Sequence, residues 1–69
     1  MRLDCRGRLC PTPVIELAKA LPTVEVGSAI EVMSDDPAAA HDIPAWCRMR
    51  QQEYVGSPEP EIYVVRRVH

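Results

Sequence analysis

The 69-residue chain predicts an α+β fold: a two-layer α/β sandwich of order βαβαββ, with two helices on one face of a four-stranded mixed sheet. Three observations carry that prediction. Apolar residues recur in a regular order, first at every second position and then at helical spacing. Prolines and an Asp-Asp-Pro run punctuate the places where the period changes. The apolar residues are also too few to build a core on both faces of a sheet, so both helices must cover the same one.

Residues 1–5 place Leu3 and Cys5 on one side and Arg2 and Asp4 on the other, which is a first strand. Residues 11–21 set Val14, Leu17, Ala18 and Leu21 on one helical face with Glu16 and Lys19 outside it, and Pro22 stops the helix. Gly27 marks a turn before a second strand at 29–34, where Ile30 and Val32 alternate with Glu31 and Met33. Asp35-Asp36-Pro37 signals a turn and a helix entry, an acidic cap followed by proline.

The second helix is expected over about 39–52. A proline deep in a helix costs ~3 kcal/mol or more. The expectation is therefore a loose turn at 37–41 and a regular helix from near Asp42, with Pro44 in its first turn. Ile43, Trp46 and Cys47 then share the buried face, and Arg48, Arg50 and Gln51 point to water. Residues 53–56 and 61–68 supply two last strands around a turn rich in Ser, Pro and Glu. In the last strand Ile62, Val64 and Val68 alternate with Tyr63, Val65 and Arg67. The strand–helix–strand start implies a right-handed parallel crossover, and the closing pair an antiparallel hairpin. The uncovered face is expected to carry Glu31, Met33, Tyr63 and Val65, apolar enough to suggest pairing with another protein.

Length bounds the function. One domain over residues 1–69 has room for a single small core and none for a deep enclosed active site. Such a chain suits the presentation of one reactive group to larger partners. No apolar run reaches signal-peptide or membrane-spanning length, so a cytoplasmic protein without a membrane is expected. The three cysteines form no C-x-x-C pair, which argues against a disulfide framework and a zinc site. A net charge of −2 with interspersed signs provides no basic field, and direct nucleic-acid binding is not expected. Arg66 and Arg67 read as solvated residues of a terminal strand.

The segment Cys10-Pro11-Thr12-Pro13 lies between the first strand and the first helix. Proline has no amide hydrogen and a φ close to the helical value, so Pro11 and Pro13 are tolerated in a first helical turn. Cys10 is then the natural N-cap. The positive end of the helix dipole and the candidate supporting cations Arg6 and Arg8 favour its thiolate, the nucleophilic form. The loop from a first strand into a first helix sits at the carboxyl end of the strand, where ligand sites gather in open α/β layers. Gly7 gives the passage backbone freedom. The plainer reading of the same residues is two prolines that start a helix and a cysteine that fills space as a small hydrophobe.

Leu3-Asp4-Cys5-Arg6-Gly7-Arg8-Leu9-Cys10-Pro11-Thr12-Pro13-Val14, then Asp35-Asp36-Pro37 and Asp42-Ile43-Pro44-Ala45-Trp46-Cys47, resemble the TusA (SirA-like) family of small sulfur carriers over nearly the whole chain. The resemblance implies a sulfurtransferase in which Cys10, the cysteine of the C-P-x-P motif, accepts sulfane sulfur as a persulfide and relays it. It implies a donor protein such as a cysteine desulfurase or rhodanese, and a downstream acceptor protein in tRNA thiolation, molybdenum-cofactor chemistry or sulfur oxidation. No metal or organic cofactor is required. Family members often carry Gly-His where this chain has Gln51-Gln52, so a differently shaped exit from the second helix is expected.

Other readings remain beside this one. Cys5 is near enough in sequence to Cys10 to act as a resolving thiol in a redox protein, although its strand parity points inward. Cys47, next to Trp46 on an apolar helix face, reads as core. His41 as a base for Cys10 lacks a third orienting group or an enclosed cleft. A regulatory or interaction module on the same fold would not need Cys10 to react at all.

Overall fold

A computed structural model describes residues 1–7 and 12–69. Its elements are strand β1 (Arg2–Asp4), helix α1 (Thr12–Ala20), a 3-10 turn (Leu21–Thr23), strand β2 (Ala29–Met33), helix α2 (Ala39–Arg50), and strands β3 (Glu53–Glu59) and β4 (Ile62–Arg66). The four strands lie in the order β1-β2-β4-β3. β1 and β2 are parallel, and the other two pairings are antiparallel. This is the mixed sheet and α+β class read from the sequence.

The alternation in β2 sends Ile30 and Val32 fully inward. Register sets Val65 beside Ile30 and Tyr63 beside Val32. Leu17 and Ala20 of α1 and Ile43, Trp46 and Cys47 of α2 close over that row, joined by Cys5 and Ala39. Each fully buried aliphatic here favours the folded state by about 1.5–3 kcal/mol relative to leaving it in water.

Three expectations about the elements and one about a side chain are corrected. The last strand has the opposite parity: Tyr63 and Val65 are buried, and Ile62 and Val64 stand beside Met33 and Glu31 on the uncovered face. Four consecutive apolar residues carry no parity of their own, and a slip of one exchanges the faces. The hairpin also turns later. β3 continues through Ser57 and Pro58 to Glu59, and Pro60 with Glu61 makes the corner. A proline followed by a residue at φ 68° has the dihedral signature of a type II turn. Pro58 is accommodated because β3 is an edge strand with irregular register on either side of Gly56.

The third correction concerns α2, which starts at Ala39 and not near Asp42, so Pro44 lies inside it. The entry is firmly bonded: the Asp36 side chain accepts the Ala38 amide at 2.9 Å, and the Ala38 carbonyl accepts the Asp42 amide at 2.9 Å. Pro44 therefore leaves the Ala40 carbonyl without its helical donor, on a turn where Ala40 is exposed to water. At the other end Gln51 takes the left-handed conformation at φ 59° and ψ 36°. The helix exit thus closes in the turn that glycine ordinarily makes.

Arg67 also departs from the solvated reading. It lies just beyond β4 and donates from Nη1 to the carbonyl oxygens of Val24, at 2.6 Å, and Leu21, at 3.5 Å. Arg66 remains exposed and pairs with Glu53 across the hairpin.

Candidate functional site

Parallel pairing brings the carboxyl ends of β1 and β2 to the same edge of the sheet, where each chain turns toward a helix. The Cys5 amide donates to the Met33 carbonyl at 2.7 Å, which extends the β1–β2 ladder past Asp4. The Ser34 amide donates to the Glu61 carbonyl at 2.9 Å, so the β3–β4 corner meets the same edge. Ser34 is buried, and its hydroxyl accepts the Asp36 amide at 3.2 Å. The outcome is a hydrogen-bonded platform of three chain segments.

The segment that leads toward the C-P-x-P motif starts on this platform. Cys5 is 1% exposed and belongs to the core. Gly7 adopts φ 79°, a left-handed value that a side chain disfavours. Its amide donates to both oxygens of Asp35, at 3.0 Å each. Arg6 faces Asp4 in a two-pronged pair, Nε to Oδ1 and Nη2 to Oδ2, both 3.0 Å, while its amide reaches Oδ1 at 3.1 Å. The hydrogen bond to Asp4, then its charge, with smaller contributions from Glu61 and Asp35, holds the guanidinium pKa above its usual value. Arg6 is thus electrically paired with the end of its own strand.

Cys10, Pro11 and Arg8 lie outside the described residues, and with them the reading of Cys10 as N-cap. Beyond them α1 starts at Thr12, and Pro13, in its first turn, is fully buried. Pro13 therefore anchors the start of α1 in the core, as Asp35 holds Gly7 on the strand side of the undescribed residues. Cys47 is fully buried, and burial pushes its thiol up to about 11, which leaves it protonated and unreactive at neutral pH. His41 is exposed on the first turn of α2.

Sequence reasoning did not single out Asp35 as more than a helix-entry signal. Its contact with Gly7 spans two loops separated by α1 and β2, and only the parallel alignment of β1 with β2 brings them together. The pairing of Arg6 with Asp4 had a local signal, two opposite charges two residues apart, although alternation alone placed Asp4 on the strand face.

The fold and this platform define a small α+β protein whose C-P-x-P segment falls in sequence between β1 and α1. Residues 1–67 match the family model described as sulfurtransferase TusA. The chain belongs to that family. Two proteins of Archaeoglobus fulgidus, each named "putative sulfur carrier protein", are similar to it. One is 43% identical over 61 residues, 88% of this chain and 84% of its own length. The other is 43% identical over 67 residues, 97% of this chain and 87% of its own length. The crystal structure of a SirA-like protein from Desulfitobacterium hafniense superposes with a TM-score of 0.75 at 22% identity, covering 99% of this chain and 97% of that one. That likeness establishes the fold. Among the described residues no helix is long and apolar enough to cross a membrane.

Proposed function

We propose that this protein is a sulfur carrier that accepts sulfane sulfur on Cys10 and passes it to an acceptor protein. Family membership across residues 1–67 carries the reading. The burial of the other two cysteines, Cys5 at 1% and Cys47 at 0% exposed, supports Cys10 as the thiol that a protein partner meets. Loading is a thiol exchange. The Cys10 thiolate attacks the outer sulfur of a donor persulfide, a new S–S bond forms as the old one breaks, and the donor cysteine leaves as a thiolate with the electron pair. Delivery repeats the step with the acceptor thiol attacking the outer sulfur on Cys10. Neither step has a net oxidation.

Pro11 and Pro13 direct the thiol, and the helix entrance favours its anion. Arg6 and Arg8 are the supporting cations, and Arg6 is itself paired with Asp4. The donor is a cysteine desulfurase or a rhodanese, the acceptor belongs to tRNA thiolation, molybdenum-cofactor or sulfur-oxidation chemistry, and the location is cytoplasmic. Incubation with a cysteine desulfurase and cysteine, followed by intact-mass measurement, tests the reading. The protein should gain the mass of one sulfur atom and lose it on reduction. A protein that stays at its original mass with donors of both kinds is an interaction module of the same fold and not a carrier.

A further inference from the structure

Gly7 stands three positions before Cys10 and is the last described residue before the motif. Its left-handed backbone sets the direction in which the chain leaves β1, and its single amide proton is shared by both oxygens of Asp35. Asp35 is itself held from both sides. Ser34 before it donates its amide to Glu61, and Asp36 after it bonds both the Ser34 hydroxyl and the Ala38 amide. The carboxylate is exposed, so its place owes little to burial and much to these backbone anchors.

We propose that Asp35 is a positioning residue for sulfur transfer: by gripping the Gly7 amide it fixes the base from which the Cys10 segment meets a partner protein. The proposal rests on the reading of Cys10 as the sulfur-accepting thiol. A carboxylate does not favour another anion, so charge is not what Asp35 offers a thiolate. Its value lies in geometry. Transfer between two proteins depends on the alignment of two sulfurs, whereas a small alkylating reagent approaches from many directions.

Two variants separate geometry from charge. Asp35→Asn loses the charge and keeps a carbonyl oxygen that accepts the Gly7 amide, whereas Asp35→Ala loses both. Asp35→Ala should speed hydrogen exchange of the Gly7 amide and slow sulfur acceptance from a persulfidated desulfurase by about tenfold, while Asp35→Asn stays within about twofold of wild type in acceptance. Alkylation of Cys10 by iodoacetamide, compared at equal thiolate fraction, should be the same in all three proteins. Gly7→Ala, which disturbs the same bond from its other end, should match Asp35→Ala in acceptance. Wild-type acceptance by Asp35→Ala, or equal losses in Asp35→Ala and Asp35→Asn, overturns the proposal while the carrier reading stands. Absence of loading in the wild type removes the carrier reading, and the positioning role falls with it.

Discussion

The guanidinium of Arg67 caps the chain between α1 and β2 by donating to the Val24 carbonyl oxygen at 2.6 Å. The same residue's backbone is bonded on both sides of the Gly27 turn, its carbonyl accepting the Gly27 amide at 2.6 Å and its amide donating to Ser28 at 2.9 Å. One residue past the last strand thus closes the end of the sheet opposite the carboxyl ends of β1 and β2. Arg67→Met keeps most of the stem and loses the charged donor. It should lower stability by about 1–2 kcal/mol in urea unfolding, with sulfur loading unchanged.

Gln51 holds a left-handed conformation at the exit of α2, exposed and with its amide bonded to Arg48. A side chain in that region costs about 1 kcal/mol that glycine avoids. Gln51→Gly should therefore raise stability by about 0.5–1 kcal/mol and Tm by a few degrees, read by thermal unfolding. A lower Tm would show that the Gln51 side chain contributes more than its backbone costs.

Val64 and Val65 test which way β4 faces. Val65 is fully buried beside Ile30, and Val64 lies half-buried on the other face beside Glu31. Threonine matches valine in shape and adds a hydroxyl. Val65→Thr should cost about 2 kcal/mol because the hydroxyl enters an apolar core, and Val64→Thr less than about 0.5 kcal/mol. The reverse order of losses in denaturant unfolding would restore the parity expected from the sequence.

These residues show what was legible in the chain and what was not. Ile30 and Val32 alternate with Glu31 and Met33, one apolar set against one containing a charge, and β2 follows. Ile62 to Val65 contains no polar residue, so its inward face is decided by pairing with β2 and by the bulges near Gly56. Pro44 pulled the expected start of α2 toward Asp42, because a local proline penalty was weighed without the Asp36 and Ala38 bonds that begin the helix earlier. Pro13 was legible as a first-turn residue of α1, because proline is tolerated where helical amides lack partners. Asp35 was not, because its partner Gly7 lies 28 positions away in sequence.

Burial raises the Cys47 thiol to about 11 from an ordinary 9.0, and burial, with Tyr63 and Cys47 nearby, raises the Tyr54 hydroxyl as well. A raised acid pKa in the folded state means that the unfolded chain gives up its proton first as pH rises. The associated stability is complete below about pH 9 and declines from there toward pH 11. Wild type should lose stability over that window more steeply than Cys47→Ala, measured by urea midpoints at successive pH values. Parallel curves would place the loss in other groups.

The central claim is that Cys10, alone among three cysteines, carries sulfur. Its most direct test is peptide mapping of protein loaded by a desulfurase and cysteine, after the persulfide has been trapped by alkylation, in wild type and in the Cys5→Ser, Cys10→Ser and Cys47→Ser variants. The added sulfur should map to the peptide containing Cys10 in wild type, Cys5→Ser and Cys47→Ser, and should be absent from Cys10→Ser. Persistence of the sulfur in Cys10→Ser, or its loss in Cys5→Ser or Cys47→Ser with those variants folded, would contradict the account.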